Sequence, residues 1–71
     1  MVKIICNITP FIYTQIFYIL EENTNETLET VSFTNENLLE KINYILTKYK
    51  KIKDINIYGN VAYTMQLKKK I

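Results

Sequence analysis

DINIYGN, residues 54–60, runs into VAYTMQLKKKI, residues 61–71, and the join between them allows two different endings to the fold. Asp54–Tyr58 alternates isoleucine with polar residues and reads as a strand, the fourth in the chain. Gly59-Asn60 then admits two continuations. In one, Asn60 caps a short helix running to Ile71. Tyr63, Leu67 and Ile71 then share one stripe, and Lys68–Lys70 lie at the end that the helix dipole favours. In the other, Gly59-Asn60 is the turn of a C-terminal β-hairpin, and Val61, Tyr63, Met65 and Leu67 alternate along a fifth strand. A two-residue turn would set Ile55 and Ile57 on the face of Ala62 and Thr64, a poor match that a three-residue loop would repair. The helix is the expectation, with the hairpin as its alternative.

Upstream, Val2–Ile8 (VKIICNI) is β-branched and reads as a strand. Thr9-Pro10-Phe11 punctuates it, since Pro10 cannot donate to a ladder. Ile12–Leu20 (IYTQIFYIL) is a second strand, apolar on both faces, which predicts an interior position covered on each side. Glu21–Thr27 is polar and turn-like. Leu28–Phe33 gives a short third strand in a meander with the first two. Between Asn35 and Lys51, the residues Leu38, Leu39, Ile42, Ile45, Leu46 and Tyr49 recur at helical spacing. Thr34 or Asn35 is placed to cap this helix, with Glu36 and Glu40 near its start and Lys48, Lys50 and Lys51 near its end. The expected architecture is one α+β domain over residues 1–71: a three-stranded antiparallel meander, a helix, a parallel fourth strand and a short C-terminal helix.

This order, with the INIYGN junction at Ile55–Asn60, resembles the first part of the ribonuclease H-like fold, shared in outline by the actin-like ATPases. The resemblance covers nearly all of this chain and about half of a family domain. It implies that the fourth strand lies beside the first. Family nucleases hold a catalytic metal with an aspartate on the first strand. Here that region reads Ile5-Cys6-Asn7-Ile8-Thr9, with Asn7 at the place of the acid, and the fourth strand ends in Tyr58-Gly59 with no acid. Asn is a poor substitute for a carboxylate around magnesium, so the resemblance implies a fold without the nuclease chemistry. The family's last strand and helix have no counterpart here unless Val61–Leu67 is a fifth strand.

Composition points away from catalysis. The chain has 71 residues, a formal net charge of +2, one cysteine and no histidine. Neutral-pH acid–base work most often uses histidine, and Cys6 has no imidazole to activate it. The glutamates Glu21, Glu22, Glu26 and Glu29 cluster in sequence without the glycine and alternating ligands of a calcium loop, and read as a solvated turn. Gly59 is the only glycine, so no phosphate-cradling loop exists. No catalytic, cofactor or metal residues are expected, and Cys6 reads as a structural thiol in a strand. Residues 1–20 are too interrupted for a signal peptide or a membrane span, which with the lone cysteine predicts a cytoplasmic protein. The sequons at Asn7 and Asn25 are then chance matches.

What remains is binding. A core this small often gains stability by self-association, so a homodimer is expected. If residues 60–71 are helical, Asp54–Tyr58 is an edge strand open to a partner's strand, with Asp54, Asn56, Tyr58, Tyr63 and Met65 as the partner-binding residues. The alternative is a nucleic-acid accessory role using Lys48, Lys50, Lys51, Lys53, Lys68, Lys69 and Lys70, weakened by the low net charge and the lack of Arg. A third is a structural or assembly protein. Ile, Lys, Asn and Tyr make up about half the chain, a bias of A/T-rich genomes such as those of low-GC bacteria and their phages and mobile elements. The leading expectation is a non-enzymatic, anti-CRISPR-like protein that binds and inhibits a host defence or replication enzyme.

Overall fold

Strand, strand, strand, helix, strand, helix is the order found in the computed structural model, which describes residues 1–7, 14–59 and 61–70. The elements are β1 (Val2–Asn7), β2 (Gln15–Glu21), β3 (Thr27–Phe33), α1 (Leu38–Lys48), β4 (Ile52–Tyr58) and α2 (Val61–Lys68). They form one four-stranded sheet ordered β3-β2-β1-β4. The meander pairs antiparallel, and β4 joins β1 in parallel. The α+β architecture expected from the sequence is therefore the one observed, and residues 61–68 are helical rather than a hairpin arm. The turn before α2 rests on Gly59, whose φ of 99° a side chain would oppose. The proposed cap Asn60, the end of the stripe at Ile71, and the punctuation at Thr9–Phe11 lie outside the described residues.

The core lies on one face of the sheet. Val2, Ile4 and Cys6 of β1, Phe17 and Ile19 of β2, Val31 and Phe33 of β3, and Ile55 and Ile57 of β4 are buried there against Ile42 and Ile45 of α1 and Leu67 of α2. The period of two along the strands supplies this face, with register shifts near Val2 in the β1–β4 pairing and near Leu20 in the β2–β3 pairing. Phe17 and Phe33 stack across it with ring centroids 4.4 Å apart.

Several boundaries differ from the sequence reading for identifiable reasons. The first helix was expected from Asn35 but begins at Leu38. The Asn37 carboxamide oxygen accepts from the Thr34 N–H at 2.7 Å, and the Asn37 N–H donates back to the Thr34 carbonyl at 3.2 Å. That closed turn uses the groups a cap at Thr34 or Asn35 would have needed. The helix stops before Lys50 because Tyr49 turns extended and the Lys51 carbonyl accepts from the Val2 N–H at 3.1 Å. Lys51 already belongs to the sheet ladder, so β4 starts earlier than Asp54. The hairpin between β2 and β3 closes through Glu21, whose carboxylate accepts from the Asn23 and Thr24 N–H groups at 2.8 Å each. Asn25 takes the left-handed position there, at φ 60°.

Candidate protein-binding face

β2 was expected to be covered on both faces, and the structure corrects this. Phe17 and Ile19 are buried in the core, while the alternate residues Ile16 and Tyr18 are 38% and 39% exposed. The register extends this second face across the sheet. Ile5 lies opposite Tyr18 and Lys3 opposite Leu20. Thr30 and Ser32 of β3 lie opposite Tyr18 and Ile16. On the far side, Asp54, Asn56 and Tyr58 of β4 lie opposite Lys3, Ile5 and Asn7. Ile42 and Ile45 of α1 and Leu67 of α2 are buried against the other face. The result is an open surface with an apolar centre of Ile5, Ile16, Tyr18 and Leu20. Its border is polar: Lys3, Asn7, Thr30, Ser32, Asp54 and Asn56. A desolvated aromatic and aliphatic middle ringed by polar groups is the anatomy of a protein–protein interface.

β4 is an outer strand of the sheet, as expected, and its edge is closed at one residue. Ile57 turns its backbone away from β1, toward α2. The Thr64 hydroxyl accepts from the Ile57 N–H at 2.8 Å and donates to the Ile57 carbonyl at 3.1 Å. The Asp54 side chain accepts from the Asn56 amide at 2.7 Å and pairs with Lys68 of α2 at 3.4 Å. Burial raises the Asp54 pKa, but these bonds from Asn56 and Lys68 outweigh it and hold the carboxyl below its usual range. A strand arriving from outside would meet α2 where it needed Ile57. The sequence could not show this, because a lone threonine in a short helix carries no signal of what its hydroxyl reaches. The five residues proposed for that edge fall into two groups. Asp54, Asn56 and Tyr58 belong to the open face. Met65, 60% exposed, lies on the outside of α2, and Tyr63 packs half-buried against the core.

The lysines divide similarly. Lys48 pairs with Glu29 at 2.8 Å, Lys53 with Glu22 and Lys68 with Asp54. Lys50, Lys51, Lys69 and Lys70 have no ion-pair partner among the described residues. Two of these, Lys50 and Lys70, line one small hollow with Leu46, Tyr49 and Ile52. Clusters separated in sequence thus meet at one end of the molecule, which the sequence alone did not reveal.

The remaining titratable groups support the framework. Glu29 accepts from Lys48, from the Tyr44 hydroxyl at 2.7 Å and from the Tyr49 hydroxyl at 2.5 Å. These bonds, that of Lys48 foremost, hold its carboxyl down at about 2. Burial, followed by the Glu29 contact, pushes the Tyr49 phenol up to about 12. The acids that cluster in sequence are therefore dispersed: Glu21 on its own turn, Glu22 with Lys53, Glu29 with α1. No group of three or more potential metal ligands occurs among the described residues. Cys6 is fully buried, and burial pushes its thiol up to about 11, far from a reactive thiolate. No described helix is long and apolar enough to cross a membrane.

These features define a small α+β domain with one packed and one open sheet face. The chain matches no protein-family model, no curated protein and no solved structure.

Proposed function

We propose that the chain is a non-catalytic protein-binding module whose open sheet face receives an apolar patch on a partner protein. The observation that carries this reading is β2, which is apolar on both sides but buried on only one. Tyr18 stands at its centre, flanked by Ile5 on the neighbouring strand. Tyrosine is among the residues that supply most binding energy when seated in such a patch. The partner is a folded protein of the cell in which the chain is made. The A/T-biased composition and small size support placing it among phage or mobile-element proteins that disable a host defence or replication enzyme in the cytoplasm.

The test is affinity capture from extracts of low-GC bacteria and from defined host nucleases, comparing the unmodified chain with Tyr18→Asp. Tyr18 is partly exposed, so the substitution leaves the core intact. Capture of one enzyme by the unmodified chain and its loss with Tyr18→Asp supports the reading. Equal capture by both refutes it.

A second reading rests on the meeting of Lys50 and Lys70 at one end. It makes the chain a nucleic-acid accessory protein that contacts phosphates through Lys50, Lys51, Lys69 and Lys70. Gel shifts with generic DNA and RNA over a salt series discriminate between the readings. Tight binding that falls steeply with salt favours the lysine end, and no shift at low salt eliminates it.

A further inference from the structure

The two outer strands of the sheet are treated differently. β4 is flanked by α2 and sealed at Ile57 by Thr64. β3, the other outer strand, runs for seven residues and carries no Lys or Pro, and α1 meets it through the Glu29 side chain rather than through a bond to its outward backbone.

The phase of its backbone follows from two bonds. The Glu22 N–H donates to the Met1 carbonyl, and the Val2 N–H donates to the Lys51 carbonyl. Groups alternate direction along each strand, so Lys3, Ile5 and their partners Leu20 and Tyr18 bond across β1 and β2. Phe17 and Ile19 therefore bond to Val31 and Glu29 of β3. Thr30 and Ser32 are left with N–H and C=O directed away from the sheet. Those groups have no bond to any described residue. The next residue, Thr34, is already engaged by Asn37, so the free stretch ends there.

We propose that a second copy of this chain pairs with β3 in antiparallel fashion, about a two-fold axis through Val31. In that register Thr30 of each copy faces Ser32 of the other, and all the outward groups of both residues bond. The Thr30 and Ser32 side chains meet on the open face as Thr–Ser pairs. Val31 meets its own copy on the helix side, a favourable β-branched pair. The register that centres on Glu29 would oppose two carboxylates and is disfavoured.

The flank of the strand agrees. A groove of about 350 Å³ runs between β3 and α1, lined by Thr30, Ser32, Glu40, Lys41 and Tyr44 among others. Glu40 and Lys41 have no ion-pair partner among the described residues. Each copy thus brings both signs of charge to the seam, which is compatible with the self-complementarity of a two-fold interface. The axis stands normal to the sheet, so the dimer is one continuous sheet of eight strands. Its open faces lie on the same side and form one larger surface.

Sedimentation equilibrium of the full chain over a concentration series tests this. The expected result is a monomer–dimer equilibrium that Ser32→Pro abolishes. Proline there removes only an outward N–H, and circular dichroism checks that the fold persists. Should Ser32→Pro fail to fold, Ser32→Lys serves the same purpose by setting like charges at the seam. Met65→Ala, on the outside of α2, is expected to leave the dimer unchanged. A monomer at every concentration overturns the proposal, whether or not a strand of another protein binds the edge. So does a dimer that persists in a folded Ser32 variant.

Discussion

One hydroxyl, that of Thr64, satisfies both backbone groups of Ile57, accepting at 2.8 Å and donating at 3.1 Å. Thr64 and Ile57 are both buried. α2 is thereby bonded to the edge it covers as well as packed against it through Leu67. Thr64→Val keeps the shape and removes the hydroxyl, leaving a buried N–H and C=O without a partner. The expected loss is about 1–3 kcal/mol, read as a lowered urea midpoint with an unchanged slope. Thr64→Ser retains the bonds and is expected to stay near the unmodified value.

Phe17 occupies the middle of the core, fully buried and stacked on Phe33. Phe17→Ala is expected to cost about 3–5 kcal/mol, a large part of what a domain of this size possesses. Far-ultraviolet circular dichroism is expected to show a largely unfolded chain at ambient temperature. The conservative Phe17→Leu is expected to remain folded with a lower melting temperature.

Acid stability turns on Glu29. Its folded pKa of about 2 lies below the ordinary value near 4.5. A carboxyl lowered in this way stabilises the fold at pH above its unfolded pKa. The contribution is lost as pH falls through that value toward the folded one. The window is therefore from about 4.5 down to about 2. Solvent screening of this surface-facing group holds the effect to about 1 kcal/mol. Glu29→Gln is expected to lower the melting temperature at pH 7 and to narrow the gap to the unmodified protein as pH falls across that window.

Cys6 reports on opening of the sheet. Its thiol is fully buried, with its pKa raised to about 11. Reaction with an aromatic disulfide reagent at pH 8 is expected to be slow in native protein and fast in urea. Fast labelling without denaturant would contradict the observed position of β1.

The element order and the helical ending were legible in the sequence because each rests on local signals. β-branched runs marked the strands, a three-and-four spacing marked α1, and a glycine marked the turn before α2. The site was only partly legible. Ile12–Leu20 showed two apolar faces, but nothing in the string states whether a second layer covers the outer one. Asp54, Asn56 and Tyr58 lie on an outer strand, as the sequence predicts, and they also border the open face, which depends on the register of β4 against β1. The docking of α2 on that strand depends on Thr64 reaching Ile57, a contact made in space rather than in periodicity. Lys50 and Lys70 meet for the same reason, as the folded path returns the C-terminal helix to the end of α1.

The place where a captured partner touches the chain separates the open sheet face from the helices and the lysine end. Side-chain NMR of the isotope-labelled chain, titrated with that partner, reads this residue by residue. The methyl groups of Ile5, Ile16 and Leu20 and the ring of Tyr18 are predicted to shift or broaden, while those of Leu39 and Met65 stay in place. Changes confined to the helices or to the lysine end, with Ile16 and Tyr18 unmoved, would contradict binding through the open face.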